Sequence, residues 1–362
     1  IQQLSLQERM ILMSCSGTIG RILYVNSSLA GTVGSPDLLR IQAKLGMILP
    51  GYLYAFLSSG LGTAFIQKGV YGAVIQHIEI PYMATIPIPR LDPGQEEEIH
   101  RLIEQAAELR VRAASSIQVA RNLVEKEVGF SSYSKKNDHA FSVEEATLDV
   151  SSPFRLDSFY YSGYCAEALR TLDKYPGIIM SAKDVGYRIY NPPLFKRQFA
   201  ESGFPYMSGV DFYNMRPKTD RFLSKNQPDV DLYLVRKGTV LVQSAGQRYG
   251  LITTPLMVTR VLDGVAITSD VVRIDHNDLV ENGYICGLFG SGFGRRLALR
   301  YSYGTSIPRL DVPEFSGIKI PWPEDEVRRN IGQIVVDAYQ QFDLANEMED
   351  QAQELLVIAM SS

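Results

Sequence analysis

Two segments of the chain place apolar or seam residues at alternating spacings of four and three. In the first these are Ile99, Ile103, Ala106, Arg110, Ala113, Ile117, Ala120 and Val124; in the second, Ile331, Val335, Ala338, Phe342, Ala345, Glu349, Ala352 and Leu356. That interval is a heptad and predicts a long amphipathic helix in each place, over residues 91–130 and 323–362. At 1.5 Å per residue each would run about 50 Å. Alanine at every seventh position lets two helix axes approach closely, while Ile, Val or Leu at the other seam position fills the space between them. A lone amphipathic helix more often packs on its own globule. Two matched seams instead predict helices packed on each other, antiparallel, with Ile103, Ala106, Ala113, Ala120, Val335, Ala338, Ala345 and Ala352 at the contact. Glu349, standing where the first helix has Ile117, is expected to mark local fraying or a partner contact.

The seams are part of a longer internal repeat. Gly51-Tyr52 matches Gly283-Tyr284, and holding that offset of 232 aligns Ser59, Gly60 and Gly62 with Ser291, Gly292 and Gly294. Without a gap, Tyr71-Gly72 then falls on Tyr303-Gly304, Ile75 on Ile307, Pro81 on Pro313, Ile86 on Ile318, Ile88 on Ile320 and Pro89 on Pro321. Average composition would give roughly 2 or 3 identities over such a stretch. The chain is therefore read as a duplicated object.

Upstream of each helix the pattern becomes β-rich, as in residues 233–242 and 264–268, and is punctuated by Gly, Pro and Asp turns. Short helices are expected over residues 51–57, 166–172 and 283–289. The predicted fold is α+β: two pseudo-repeated domains of mixed β-structure with short helices, separated by two long helices packed as an antiparallel coiled coil. The boundaries are a first globule at 1–90, a helix at 91–130, a polar linker at 131–151, a second globule at 152–322 and a helix at 323–362. The second globule has about 80 residues before the part that repeats, so the first is expected to lack upstream residues, in keeping with a chain that opens on Ile1.

A length of 362 residues suits two or three units, and no apolar run approaches the ~18 residues of a membrane span. Cys15, Cys165 and Cys286 are odd in number and lack metal-ligand spacing, which fits a reducing cytoplasm and neither a disulfide framework nor a zinc site. The net charge is -4, yet residues 155–319 hold 21 Lys/Arg against 16 Asp/Glu while residues 324–362 hold 2 against 9. A mildly basic globule beside an acidic helix permits a nucleic-acid partner, because the local field and not the sum governs binding.

The order globule, helix, globule, helix resembles the specificity subunit of type I restriction-modification enzymes. Carrying the resemblance are Arg155-Leu-Asp-Ser-Phe-Tyr-Tyr161, Lys237-Gly238 leading into Gln243-Ser-Ala-Gly246, Gly283-Tyr-Ile-Cys-Gly-Leu-Phe-Gly-Ser291, Tyr303-Gly304 and Ile318-Lys-Ile-Pro-Trp-Pro323. Met13-Ser-Cys-Ser-Gly-Thr-Ile-Gly20 and Ile86-Pro-Ile-Pro89 play the same parts in the first module. The resemblance implies a DNA-binding scaffold with two target-recognition domains, each reading one half of a split double-stranded site, and helices that act as a ruler. It implies adenine methyltransferase subunits as partners, two of them, with restriction subunits in the full complex. S-adenosylmethionine would belong to the methyltransferase and no cofactor to this chain. Two other readings stand beside it: the targeting portion of a fused methyltransferase or nuclease, and a coiled-coil adaptor that binds no DNA.

Catalytic patterns are incomplete. Asn191-Pro-Pro-Leu194 has Leu where an adenine methyltransferase has the aromatic that stacks on a flipped base. Gly290-Ser-Gly-Phe-Gly294 lacks the Lys-Ser/Thr of a phosphate loop, and its copy at Ser59-Gly-Leu-Gly62 marks it as a structural turn. The four histidines are dispersed, so neither metal nor active site is expected. Glu96-Glu-Glu98 and Pro93 suit a helix N-terminus.

The residues expected to read DNA are therefore cations, hydroxyls and aromatics in loops. Arg295, Arg296, Arg300, Tyr303, Thr305 and Arg309 share one short stretch, where arginine can pair with guanine or clamp phosphate. Lys196, Arg197, Arg216, Lys218, Gln243, Gln247 and Arg248 form a second group in that globule. In the first module Thr18, Arg21, Lys68, Tyr71 and His77 are the candidates. Lys68 corresponds to Arg300 and His77 to Arg309, whereas Thr63 and Ala64 replace Arg295 and Arg296. Matched positions suit the common backbone and mismatched ones the differing half-sites.

Overall fold

A computed structural model describes residues 4–16, 19–44, 46–72, 77–131, 142 and 155–361. Most of the predicted linker, and Thr18, lie outside the described residues. The chain order begins β1 (Ile11–Ser14), β2 (Ile22–Tyr24), β3 (Leu38–Ile41), α1 (Pro50–Ser58), α2 (Gly60–Lys68), α3 (Ile80–Met83) and α4 (Pro93–Glu127). It continues with α5 (Gly163–Asp173), β4 (Ile178–Ser181), β5 (Arg188–Tyr190), β6 (Phe199–Ala200), β7 (Phe204–Met207), β8 (Phe222–Leu223), β9 (Val240–Gln243), β10 (Pro255–Met257), β11 (Ala266–Ile267) and β12 (Val271–Asp275). Last come α6 (Leu279–Gly290), α7 (Gly292–Leu299), β13 (Ser302–Tyr303), β14 (Arg309–Leu310), α8 (Val312–Ser316), β15 (Lys319–Trp322) and α9 (Asp325–Ser361).

The α+β class and the two long helices stand as expected, but the compact units do not follow the linear division. One unit comprises residues 1–114 and 341–362, the other 115–340, so each long helix serves both. In the first unit, Ile99, Leu102 and Ile103 of α4 share a core with Ala352 and Leu356 of α9, while Arg110 reaches Asn346 and Glu349. Low numbers on α4 thus meet high numbers on α9. In the second unit Ala120, Val124 and Val128 share a core with Ile331 and Val335. The pairing is antiparallel in each, and all eight residues assigned to the seam are buried, none more than 1% exposed. Glu349 is not frayed: it is 2% exposed and accepts from Arg110 at 2.5 Å.

The duplication reaches further than the sequence offset reveals. In the first unit β2-β1-β3 is antiparallel, with Ile11 opposite Tyr24 and Ile41. In the second, β10-β9-β12 repeats it, with Val240 opposite Met257 and Ile274, and adds β5 at the edge. Arg40 and Arg273 occupy the same place in the third strand of each set. Arg40 donates to the carbonyls of Leu38, Gly34 and Ser35, and Arg273 to those of Val271, Ile267 and Thr268. Each arginine thereby ties the segment that leads into its own strand to that strand. Burial lowers the Arg273 pKa to about 10. Of residues 233–239, expected as β-rich, Leu234 forms a single bridge with Ala266 and the chain then turns through Gly238, so that β9 starts only at Val240.

Helices dock on helices through matched contacts. Tyr52 donates its hydroxyl to the Pro89 carbonyl at 2.5 Å, and Tyr284 to that of Pro321 at 2.6 Å. The Ser-Gly-x-Gly segment is a helix junction rather than a loop: Ser59 ends α1 and caps α2, accepting from Gly62 N–H, and Ser291 does the same for α7 with Gly294. A Cβ at Gly62 or Gly294 would overlap the carbonyl oxygen of Phe56 or Leu288, so only glycine fits the elbow. A Cβ on Gly60, by contrast, meets nothing within 4 Å.

Gly62→Ala should therefore cost about 1–3 kcal/mol as an overpacking change, Ser59→Ala about 1 kcal/mol as a lost cap, and Gly60→Ala less than about 0.5 kcal/mol. Urea denaturation ranks the three, and equal costs at Gly60 and Gly62 would refute the elbow. A second expectation concerns His100, whose Nδ1 accepts from Gly51 N–H at 3.1 Å and whose pKa is lowered from 6.5, chiefly by desolvation. The folded protein keeps this ring neutral while the unfolded chain protonates near 6.5. Stability is thus full above that pH and falls as pH drops towards the folded value. His100→Gln should flatten that part of the stability-against-pH curve, measured between about pH 7.5 and 5.5.

Candidate nucleic-acid interface

Helix α7 changes the meaning of the first group of cations, which the sequence placed in a loop. Arg295 donates to Thr254 Oγ1 at 2.9 Å and to the carbonyls of Arg248 and Gly250, tying down the segment after β9. Arg296 is 9% exposed, paired with Glu167 of α5, and lies over the rings of Phe130 and Tyr164. Arg300 stacks 3.6 Å from the Tyr160 ring centroid. Arg248 stacks on Phe159 and donates to Ser302 Oγ and the Gly304 carbonyl. Arg155, which the sequence reading did not assign, is buried among Asp157, Glu314, the Ser302 carbonyl and the Tyr160 face. Arg155, Arg248, Arg296 and Arg300 staple the segment around residues 155–167 to α7 and its neighbours, while Arg295 ties α7 to residues 248–254. Arg296 is buried in an ion pair, Arg295 and Arg248 donate to internal oxygens, and Arg300 lies flat on a ring. Arg155, the first residue of the Arg-Leu-Asp-Ser-Phe-Tyr-Tyr motif, offered the signal: a cation five residues before an aromatic pair.

What remains at the surface is more restricted. Tyr303 pairs with Arg309 across the β13-β14 hairpin, whose turn uses Gly304 at φ +92°. The hairpin is zipped to the segment after β9: Ala245 bridges Arg309, Gly246 N–H donates to the Pro308 carbonyl, and Gln247 donates to that of Ser306 at 2.8 Å. Tyr303, Thr305, Ile307, Arg309 and Tyr249 are exposed on this double loop. Arg309 is half exposed and paired with Asp270 at 2.7 Å. Gln243 is turned inward to the Ala245 carbonyl.

The first unit repeats this arrangement. Tyr71 bridges His77, Gly72 takes φ +101°, and His77 bridges Ser16 as Arg309 bridges Ala245. Tyr71 is 51% exposed and donates to Glu79 at 2.8 Å. Lys68 is exposed, with its ammonium 5.5 Å over Phe65, and Arg21 is exposed as well. The same backbone thus presents His77 in one unit and Arg309 in the other.

The second group of cations gathers on the mixed sheet β11-β7-β8-β6. Arg197 and Arg221 lie 5.5 and 5.4 Å from the ring of Tyr206, a residue only 1% exposed. Lys196, Arg197, Phe199, Arg221 and Lys225 are exposed, and Lys218 and half-buried Arg216 lie on the β7–β8 connection. Residues 188–225 carry seven Lys/Arg against three Asp/Glu, so the basic field of the second unit concentrates here. Arg221, paired with Asp211, was missed because it stands alone in sequence. Among the described residues no group of His, Cys, Asp and Glu could hold a metal ion, and no helix is long and apolar enough to cross a membrane.

Among solved structures, the chain is similar to the type I restriction-modification S subunit from M. genitalium, at 16% identity, covering 99% of this chain and 83% of that one, with a TM-score of 0.34. It is similar to the HsdS subunit from Thermoanaerobacter tengcongensis, at 16% identity, 98% and 81% coverage and a TM-score of 0.32. A chain from a structure addressing complex assembly and conformational transition of the type I R-M system gives 16%, 98%, 82% and 0.33. No protein-family model and no curated protein matches the sequence.

Because Arg296 joins an ion pair with half-buried Glu167 and two aromatic contacts, Arg296→Ala should destabilise the fold by about 1–3 kcal/mol, the cost of a lost charged hydrogen bond in a partly buried site. Thermal melts check this. A folded variant of unchanged stability would return Arg296 to the list of surface contacts.

Proposed function

We propose that this chain is the DNA-binding specificity subunit of a type I restriction-modification complex, reading a bipartite double-stranded target and carrying no catalytic site of its own. The observation that supports it is the duplicated module, matched from strand register to individual hydroxyl–carbonyl bonds, with an exposed tyrosine, Tyr71 or Tyr303, at a matched bridge in each copy. Where the copies agree, at Tyr71 and Tyr303, the side chains suit contacts common to any duplex. Where they differ, at His77 and Arg309, they suit the two unlike halves of the target, since arginine in the major groove pairs bidentately with guanine. Lys196, Arg197 and Arg221 would supply the phosphate contacts of the second module. Methyltransferase subunits are the expected partners and would bring S-adenosylmethionine; restriction subunits would join the full complex.

Selection from a random duplex library with the chain and its co-purifying partners tests this. The expected product is two short blocks of fixed sequence separated by a fixed unspecified gap. Arg309→Ala should relax preference in one block only, at about 1–3 kcal/mol per base pair, while Arg197→Ala should weaken all sequences and reduce the salt slope by about one. Enrichment of a single contiguous block, or no salt-dependent binding, would refute the reading.

A further inference from the structure

The apolar seam between α4 and α9 is interrupted within the first unit by a buried polar cluster. Arg110 donates to Glu349 at 2.5 Å and to Asn346 Oδ1 at 2.8 Å, and Tyr54 donates to Glu349 at 3.3 Å. All three partners on the two long helices are sealed from solvent: Arg110 is 5%, Asn346 3% and Glu349 2% exposed. A buried ion pair is no more stabilising than well-packed apolar residues of similar volume, so stability does not account for it. Breaking such a pair by removing one partner is, however, strongly unfavourable.

The duplication shows what the pair discriminates. At the offset of 232, Arg110 corresponds to Phe342, Asn346 to Ala114 and Glu349 to Ile117. Both helices carry the same heptad with the same alanines, so α4 of one molecule is shaped to pack antiparallel on α4 of another, and α9 on α9, about a two-fold axis. In the α4–α4 pairing each Arg110 would meet Ile117 and Ala114 and find neither a carboxylate nor an amide oxygen. In the α9–α9 pairing each Glu349 would meet Phe342 and find no cation. Only α4 against α9 brings the charges together.

We propose that Arg110, Asn346 and Glu349 form a partner-selecting lock, which directs α4 onto α9 of the same chain and excludes exchange of helices between two copies. Its action is the same as that of a single polar residue at a coiled-coil seam, which fixes register and partner at the expense of stability. Tyr54 holds the carboxylate from the side of α1, so the lock closes only when the first module is folded against the helix pair.

The test moves the carboxylate to the other helix in the full chain. In Ile117→Glu with Glu349→Ile, an α4–α4 pair gains two Arg110–Glu ion pairs and the intrachain pair loses its one. Sedimentation velocity between about 1 and 50 μM should show wild type and the single Ile117→Glu variant as monomers and the relocated variant as a dimer. This corresponds to a shift of at least about 100-fold in the monomer–dimer equilibrium. A relocated variant that melts cooperatively and stays monomeric like wild type overturns the proposal. Should that variant fail to fold, Arg110→Met with Glu349→Met removes the discrimination without leaving a buried charge. Refolded from urea at about 50 μM it should yield at least tenfold more exchanged dimer than wild type, and an equal yield overturns the proposal.

Discussion

Close approach of helices, permitted by side chains no larger than a methyl group, is the constraint on which both modules rest. Ala106, Ala113, Ala120, Ala338, Ala345 and Ala352 are all fully buried. The shorter helices approach by the same means. A Cβ on Gly51 would crowd the backbone of His100, and one on Gly283 would overlap that of Gly332. That contact places Tyr52 and Tyr284 where their hydroxyls reach Pro89 and Pro321, and so fixes the chain as it enters each long helix. The Ser-capped elbows that follow then set the directions of α2 and α7, which lead to the matched tyrosines Tyr71 and Tyr303.

Where the modules diverge, the backbone is kept and the chemistry changed. Arg9 N–H donates to the Val25 carbonyl as Gly238 N–H donates to that of Val258, which makes the two residues equivalent. Gly238 takes φ +91° without penalty, but Arg9 holds φ +67°, a left-handed conformation costing an L-residue about 1–2 kcal/mol. Its guanidinium pairs with Glu104, which also accepts from Tyr24. Desolvation and the Glu104 carboxylate both raise the Tyr24 pKa, so the phenol remains protonated and donating. The second module has Met257 opposite Val240 where the first has Tyr24 opposite Ile11, and needs no such network. With Arg9 half exposed, its ion pair returns little of the backbone cost, which marks the site as a tolerated divergence and not a source of stability.

The periodic part of this fold was legible in the sequence, because a heptad with alanine at every seventh residue has few other structural meanings. Gapless identities from Gly51 to Pro89 located the repeat for the same reason: glycines at close approaches and tyrosines with a fixed acceptor do not drift. The three-strand repeat was not legible. Its strands match at offsets of 229 and 233 rather than 232, and β-structure accepts any apolar residue that suits its face, so Ile11 and Val240 or Leu39 and Val272 share a place without sharing an identity. Helix α7 was missed because Gly-Phe-Gly reads as a breaker, whereas Ser291 supplies the cap that starts a helix there. That error placed Arg295, Arg296 and Arg300 on the surface of the expected site, where the structure gives them internal contacts.

Arginine is the residue most open to such misreading, since its planar cation suits aromatic faces and backbone carbonyls as well as phosphate. In this chain Arg40 and Arg273 serve turns, Arg155, Arg248, Arg296 and Arg300 serve the aromatic cluster around residues 159–164, Arg295 serves the carbonyls of the segment at 248–250, and Arg110 serves the seam. Counting cations in a segment therefore overstates its field, and subtracting those held in the interior leaves exposed Arg197, with Arg221 and Arg309 exposed but ion-paired to Asp211 and Asp270. A matched pair of bridges that keeps its tyrosine and its left-handed glycine, while exchanging imidazole for guanidinium at His77 and Arg309, changes the side chain offered without changing the backbone that carries it.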